Sequence, residues 1–469
     1  YSPVFDEEHR IVGFPEMDDI DGSEINYSAL GGTGKSVSKM SSFFANASYS
    51  YLDKYILTGA LRYDGSDIIG NDNQFTPLWN VGLRWNLHRE EFMKRWMWVD
   101  QFAVRGGFGY TGSIDKNALP FVVMTLGQSV IYDGQTVPTS FSYPNPNVKW
   151  QTKQDMNVGL DLSLFDYRLE LGVNYYNNIT RDVLDRKALP YSSGRSEVTE
   201  NVADIYNSGW EIDLGVTLLK NKSFQWYAKA NIAINDNKVK NTYYKDTKDL
   251  PKATLSNAHQ FVENQPVNGW YGYKFAGINP INGAVMTYTG NGEATLDMSV
   301  SGATWPIPSV FYLGNLTPPV VGGFSTSANW KQLIFSANFE FKTGHKIKSF
   351  NTFRSLDARN RHTSEANRWR EPGDITNVPA MSEAFTTYSS YMYDILLEKG
   401  NYLRCSYMTL GYNLKPEWLH KIGFSTARLS FTAKDLFTVS SYSGIDPALM
   451  GSFGYPNSRK YTITLNVGF

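Results

Sequence analysis

Apolar and polar residues alternate along most of this chain with a period of two. Between positions 210 and 218 every even residue is apolar, whereas Glu211 and Asp213 stand between them. Successive side chains of a β-strand point to opposite faces of a sheet, so this pattern predicts strands with one apolar and one polar face. The same alternation recurs at about residues 43–51, 55–63, 77–87, 156–175, 224–234, 335–341 and 461–469.

The length of the alternating stretches and their connections favour a membrane barrel over a soluble β-sandwich. The stretches run to roughly 9–14 residues, whereas soluble strands usually have about 5–6 and a tilted membrane strand needs 9–11. Tyr, Trp and Phe fall near strand ends, as they do in the aromatic girdles of barrels. Short connections such as 52–54 alternate with long ones such as 236–318. Short periplasmic turns and long extracellular loops are the rule in outer-membrane barrels.

We therefore predict an all-β fold, a transmembrane antiparallel β-barrel with about 13 strands in this chain. An odd number of antiparallel strands cannot close without an open edge, and lipid does not tolerate such an edge. The chain is thus expected to be the C-terminal part of a larger barrel. Residues 1–37 are predicted to be an extracellular loop segment and residues 38–469 the barrel portion.

Composition excludes several classes of protein. The chain has 469 residues with 44 basic and 45 acidic side chains, and this balance argues against a nucleic-acid binder, which needs a basic excess. A hydrophobic content of 42% excludes disorder. The single cysteine, Cys405, excludes disulfides and cysteine-built metal sites, and we expect no cofactor. No apolar run approaches the ~18 residues that a transmembrane helix needs.

Two motifs imitate ligand sites. Gly107, Gly109 and Gly112 have the spacing of a dinucleotide fingerprint, but they lie inside an alternating strand rather than between a strand and a helix. The acidic segment 18–24 lacks the first and last ligands of an EF-hand loop, so only an irregular calcium site remains as an alternative there.

Charged residues recur on the predicted polar face. They could supply the two carboxylates of a glycosidase or form a solvated lumen wall. We favour the wall and expect no enzyme, because no acidic pair has surroundings that would separate its pKa values. Cys405 is expected on the same face as a small residue. The predicted lumen-facing polar residues are Arg62, Arg84, Arg105, Asp155, Glu170, Glu211, Asp213 and Glu340.

Aromatic residues in the long connections are candidates for contact with a ligand or a partner. Exposed rings can stack on sugars or anchor a protein, but the same rings can also pack within large loops, and both interpretations stay open. The candidates are Tyr191, Trp270, Tyr271, Tyr273 and Trp369. The last strand alternates to the final residue, Phe469, and a terminal aromatic of this kind is predicted to act as a membrane-assembly signal.

Several motifs resemble those of the SusC/RagA-type TonB-dependent transporters of the Bacteroidetes outer membrane. They occur in order over about residues 40–469, so an accidental match is implausible. The motifs are RYDGS at 62–66, RGGFGYTG at 105–112, WYGYKFAGI at 270–278, DLFT at 435–438 and YSGIDP at 442–447.

The resemblance implies a barrel of about 22 strands. It also implies an N-terminal plug and a TonB box, both expected outside this chain, with energy from TonB–ExbB–ExbD and a SusD-like surface lipoprotein as a lid. The expected function is outer-membrane import of a large nutrient, most of all a glycan or oligosaccharide. The alternatives are import of peptides or metal chelates, a barrel-anchored surface adhesin, and a soluble β-rich glycan hydrolase.

Overall fold

The computed structural model contains one large antiparallel sheet of thirteen strands among the residues it describes. Each strand pairs with its neighbours in chain order once the short strands of the long connections are set aside. This confirms the predicted all-β architecture and strand number. The described residues are 4–5, 11–13, 39–67, 69, 74–114, 124–132, 135–141, 148–188, 192, 197–247, 261–296, 310–349, 366–380, 393–419, 423–450 and 454–469.

The thirteen strands are long, and the two longest far exceed what a bilayer crossing needs. The strand Leu169–Ala188 has 20 residues and its neighbour Glu197–Lys220 has 24, against about 9–11 for a tilted membrane strand, so this hairpin is longer than a bilayer crossing. The strands are β1 Met40–Tyr51, β2 Tyr55–Ser66, β3 Phe75–Asn86, β4 Val99–Ser113, β5 Gln151–Leu164, β6 Leu169–Ala188, β7 Glu197–Lys220, β8 Phe224–Lys240, β9 Val320–Trp330, β10 Leu333–Thr343, β11 Tyr402–Asn413, β12 Thr426–Ser440 and β13 Lys460–Gly468.

One face of the sheet is apolar and uncovered. The side chains of Leu57, Leu83, Leu410 and Ile463 keep 49%, 54%, 54% and 75% of their surface exposed. In a water-soluble sandwich a second layer would cover such residues. Aromatic pairs bridge neighbouring strands on this face. The ring centroids of Phe324 and Phe339, for example, lie 4.6 Å apart. The uncovered apolar face is the surface that a bilayer would contact.

The two ends of the sheet differ in their connections. At one end tight turns join the strands, and Leu52 and Asp53 both adopt positive φ in the turn between β1 and β2. At the other end the long connections carry small sheets of their own. These pairings are Gly269–Gly272 with Phe311–Asn315, Phe275–Ile278 with Val285–Tyr288 and Ala294–Leu296, Lys346–Lys348 with Leu397–Lys399, and Met124–Tyr132 with Gln135–Phe141.

Helical structure is restricted to single turns within the described part of the chain. The only α-helical turn described is Pro416–Leu419, and short 3₁₀ turns are Leu87–Arg89, Met93–Arg95, Asp394–Leu396 and Pro447–Leu449. Among the residues in the ranges given above, no helix has the length and apolarity that crossing a membrane requires.

The predicted segment 1–37 lies outside the described residues except for Val4–Phe5, which pairs with Ile11–Gly13. The domain boundary at residue 38 therefore stays a prediction. The described part of the large sheet begins with β1, directly after that boundary.

A β-bulge in β11 corrects the predicted position of Cys405. Cys405 pairs with Phe339 of β10, whereas the pairing resumes with Tyr407 opposite Asn338, so Ser406 is an extra residue. An extra residue reverses the alternation beyond it. Cys405 therefore lies on the apolar face, where it is fully buried, and its expected place on the polar face was wrong.

Phe469 directly follows β13 at the tight-turn end of the sheet. Its ring meets Phe424 edge to face at 5.1 Å between ring centroids, and its carbonyl oxygen accepts a hydrogen bond from the Ser425 hydroxyl. The ring nevertheless keeps most of its surface exposed. An exposed terminal ring is available to other molecules during assembly.

We predict that arginine on the apolar face strongly destabilises the folded barrel. Leu214→Arg or Phe339→Arg in the intact receptor should lower the free energy of unfolding in lipid by about 2–4 kcal/mol near the midplane, because a charge then faces hydrocarbon. Urea titration in vesicles measures the change. Asn231→Arg, on the opposite face of β8, is the control, and equal losses at both sets of positions would contradict the assignment of faces.

We predict that deleting Phe469 lowers the yield of assembled barrel in cells. The terminal ring would be lost as an assembly signal while the rest of β13 stays able to pair. The measurement is the heat-modifiable fraction in outer-membrane extracts. Phe424→Ala removes the ring contact but keeps the terminus, so it should assemble normally; unchanged yield after the deletion would argue against the signal.

Candidate functional site

The face opposite the apolar band carries a network of charged side chains. Arg84 of β3 and Arg105 of β4 are direct cross-strand neighbours, and like charges in such a pair repel each other. Asp161 of β5 lies between them: it accepts a 2.8 Å hydrogen bond from Arg84 Nη1, and Arg105 Nε lies 3.6 Å from its other oxygen. One carboxylate thus compensates two cations across three strands.

A glycine leaves room for the Arg105 side chain of this network. Gly159 lies opposite Arg105 in the sheet, and a Cβ atom there would come within 2.8 Å of the guanidinium carbon. Gly209 does the same for Tyr176, whose hydroxyl crosses it to donate a 2.6 Å hydrogen bond to Asn235 Oδ1. Long polar side chains therefore lie flat along the wall instead of projecting from it.

The structure places all eight predicted polar residues on this face, by strand register. Arg62 pairs with Asp64, Asp155 with Lys153, and Glu340 with Arg404 at 3.8 Å. Glu170 accepts from the Tyr227 hydroxyl and Glu211 from the Asn174 amide, whereas Asp213 lies opposite Asn231. The acids are dispersed among cations and amides, which suits a hydrated wall better than a hydrolytic pair.

Four polar residues line up at one height near the long-loop end. Asp155, Asn178, Asn207 and Asn237 are successive cross-strand partners on β5 to β8. Neighbours in such a row have Cβ atoms about 4.5–5.5 Å apart. Asn237 donates to Asn207 Oδ1 at 3.3 Å and accepts from the Val267 backbone N–H at 2.8 Å. Within the described part of the chain the Asn178 amide has no hydrogen-bond partner.

The three asparagines among these four residues, which we call the asparagine row, border a cavity of about 510 Å³. The cavity lies between the wall and two loop segments, 264–268 and 315–319. Its charged lining residues are neutralised locally, because Lys153 pairs with Asp155 and Asp236 with Lys238. No aromatic ring occurs among the described lining residues. The asparagines that line it are Asn178, Asn207, Asn235, Asn237, Asn264, Asn268 and Asn315. The cavity is suited to a neutral ligand rich in hydrogen-bonding groups.

The long connections have a hydrophobic core of their own, which we call the loop core. Its buried members are Tyr244, Val262, Tyr271, Tyr273, Ile278, Val285, Val310, Tyr393 and Leu396. Tyr273 and Tyr393 are fully buried and their rings lie 6.0 Å apart. Burial also raises the pKa of Tyr271, since a phenolate there would lose its hydration.

The loop core changes the interpretation of the predicted aromatic contacts. Tyr271 and Tyr273 cannot reach a ligand in this structure and instead pack the loops together, which is the second of the two interpretations. Trp270 and Trp369 are half-buried, and their indole N–H groups donate to the carbonyls of Lys346 and Pro280. Ligand contact by these two tryptophans stays a prediction. Tyr191 lies outside the described residues.

A buried ion pair that was not predicted ties a long loop to the wall. Arg404 of β11 and Asp446 are both nearly inaccessible to solvent and form a direct ion pair. Asp446 Oδ1 also accepts from the Ala448 backbone N–H at 2.9 Å, and Arg404 Nε donates to Thr438. The only sequence signal was an Asp before a Pro, which favours a turn but does not identify the partner.

No group of three or more His, Cys, Asp or Glu side chains within the described ranges is arranged to hold a metal ion. The acidic segment 18–24, an alternative calcium site, lies outside those ranges. His345 is buried beneath Gly400, and burial lowers its pKa, with Lys342 acting in the same direction.

Comparisons with known proteins agree with this architecture. The family model described as "TonB dependent receptor-like, beta-barrel" matches residues 5–340. TonB-dependent receptor P3 of Formosa agariphila is 29% identical over 91% of this chain and 45% of its own length. TonB-dependent receptor SusC of Bacteroides thetaiotaomicron is 23% identical over 91% of the chain and 43% of its own length.

A solved structure of the RagAB peptide transporter superposes with a TM-score of 0.74 at 25% identity, covering 92% of this chain and 47% of that chain. The chain thus spans about half the length of the curated relatives that it matches. Membership of a receptor family also confirms the expectation that it is not an enzyme. Because the family model covers more than half of its residues, the chain belongs to the TonB-dependent receptor β-barrel family, as a portion of an outer-membrane β-barrel.

Proposed function

We propose that the chain forms the C-terminal barrel portion of a receptor that imports a large polar nutrient across the outer membrane. TonB, with ExbB and ExbD, supplies the energy through parts of the receptor that precede this portion. A SusD-like surface lipoprotein acts as the lid over the long loops. Outer-membrane lipid contacts the apolar face.

The observation that carries the proposal is the division of the sheet into two faces. Large apolar side chains remain exposed on one face, while the opposite face holds paired ions and amides that lie flat against the wall. A wall of this kind keeps an internal path open and hydrated for a polar solute.

We propose a glycan or oligosaccharide as the nutrient. The asparagine row and the cavity beside it offer many amide donors and acceptors but no net charge. Sugars carry several hydroxyl groups per ring, so a dense set of amides satisfies them well. Pro266, Pro318 and Pro319 in the same lining give apolar surface for the C–H faces of a sugar ring.

A peptide is the second candidate, and a specific observation favours it. The RagAB peptide transporter resembles this chain over 92% of the chain's length and 47% of the transporter's own. Asparagine amides also pair with the N–H and C=O groups of a peptide backbone. The likeness to RagAB equally supports a surface partner for the receptor, since RagAB is by its name a two-component assembly.

Uptake by whole cells tests the proposed function. We predict that cells lacking the intact receptor lose uptake of fluorescently labelled oligosaccharides from at least one polymer, and that a protonophore abolishes the same uptake in normal cells. Labelled peptides are the parallel probe. Loss of peptide uptake alone would replace the glycan by the second candidate, and unchanged uptake of both probes would contradict import.

The asparagine row gives a sharper prediction. Asn178→Leu and Asn207→Leu in the intact receptor should each weaken binding of the transported oligosaccharide about ten-fold, because a hydrogen bond worth ~1–1.5 kcal/mol is lost. Isothermal titration measures the affinity. Asn177→Leu changes the neighbouring residue on the opposite face of β6 and should leave affinity unchanged. If Asn178→Leu and Asn207→Leu both bound the oligosaccharide as tightly as the unmodified receptor does, the row would not contact the ligand.

A further inference from the structure

The connection between β3 and β4 is one of the long ones at the tight-turn end of the sheet. Residues 87–98 form two 3₁₀ turns, whereas three residues suffice to join β1 to β2. Met93 is buried and holds the segment against the protein. Phe92, Trp96, Met97 and Trp98 nevertheless remain exposed, and Met97 keeps 91% of its surface.

Glu90 fastens this connection to the outside of the sheet. Its carboxylate accepts hydrogen bonds from the Tyr55 hydroxyl at 2.7 Å, the Trp85 indole N–H at 3.1 Å and Lys54 Nζ at 3.0 Å. Hydrogen bonds from Tyr55, Lys54 and Trp85 lower the pKa of Glu90 to about 2, so it is ionised at neutral pH. Tyr55 and Trp85 belong to the apolar face, in register with Leu57 and Leu83.

The position of Glu90 marks where the apolar band ends. Tyr55 and Trp85 present their rings to the band and their polar edges to the carboxylate, which is the usual orientation of aromatics at a membrane interface. Glu90 therefore holds the 87–98 connection against the end of the apolar band.

A second connection extends the same surface. The rings of Trp96 and Trp98 stack at 6.1 Å, and Trp98 stacks on Phe165 from the β5–β6 turn at 5.7 Å. Phe165 and Tyr167 are themselves about half exposed. Lys94 and Arg95 directly precede Trp96 in the chain, and Lys94 pairs with Glu91. Aromatic rings beside basic side chains match the polar heads and upper acyl chains of a phospholipid layer.

We propose that residues 92–98 and 165–167 form a periplasmic foot that inserts into the phospholipid leaflet facing the periplasm. The foot continues the apolar band directly, because Glu90 ties it to the last aromatic residues of that band. Phospholipid is thus its occupant, with the aromatic rings below the headgroups and Lys94 and Arg95 at the phosphates. The foot fixes the depth of the barrel mouth relative to the membrane, independently of the transported ligand.

A single attached probe tests the foot. Met97→Cys in the intact receptor, with all other accessible cysteines removed, is labelled with an environment-sensitive fluorophore; Cys405 is fully buried and stays unlabelled. The receptor is reconstituted in vesicles of phosphatidylethanolamine with a minor fraction of phosphatidylglycerol. We expect nitroxide groups on the upper acyl chain to quench the label at least two-fold and aqueous iodide to quench it weakly.

Ile375→Cys is the matched control, since it is also an apolar residue with 98% of its surface exposed but lies in a long loop. It should show the reverse pattern. Iodide quenching at position 97 as strong as at position 375 would overturn the proposal, and so would protection from both quenchers, which would indicate a protein cover. Glu90→Gln should reduce nitroxide quenching at position 97 while heat modifiability confirms a folded barrel; unchanged quenching would remove Glu90 from the attachment.

Discussion

Backbone hydrogen bonding without access to water is the constraint on which this molecule depends. Inside a bilayer each unpaired N–H or C=O costs several kcal/mol, so strands must pair along their length. The antiparallel ladder from β1 to β13 meets this requirement for consecutive strands. Pairing then fixes every side chain on one of two faces, and the separation of a lipid-contacting surface from a hydrated one follows.

Much of this architecture was predictable because the constraint acts on every second residue. In β7 and β8 apolar residues alternate without interruption over long stretches, and the structure pairs them on one face as expected. The polar positions such as Glu211 followed from the same alternation. The height of Asn178, Asn207 and Asn237 in the sheet did not, because register between strands depends on turn geometry and bulges as well as on pattern.

The remaining differences have local physical causes. One extra residue at Ser406 reversed the alternation and moved Cys405 to the other face. Tyr271 and Tyr273 are buried because large loops need a hydrophobic core, and a polar-looking connection does not reveal which rings will form it. Glu90 gains its partners from two other strand ends, and such contacts between distant positions leave no trace in one sequence.

The pairing of Asp161 with two arginines limits which substitutions this wall can accept during evolution. A single carboxylate compensates two adjacent guanidinium groups, and Gly159 leaves the room that one of them occupies. Loss of the acid alone would leave two cations side by side, while a larger residue at the glycine would displace one of them. Substitutions of Arg84, Arg105, Asp161 and Gly159 are therefore expected to occur jointly, so that homologues either retain all four residues or replace them together.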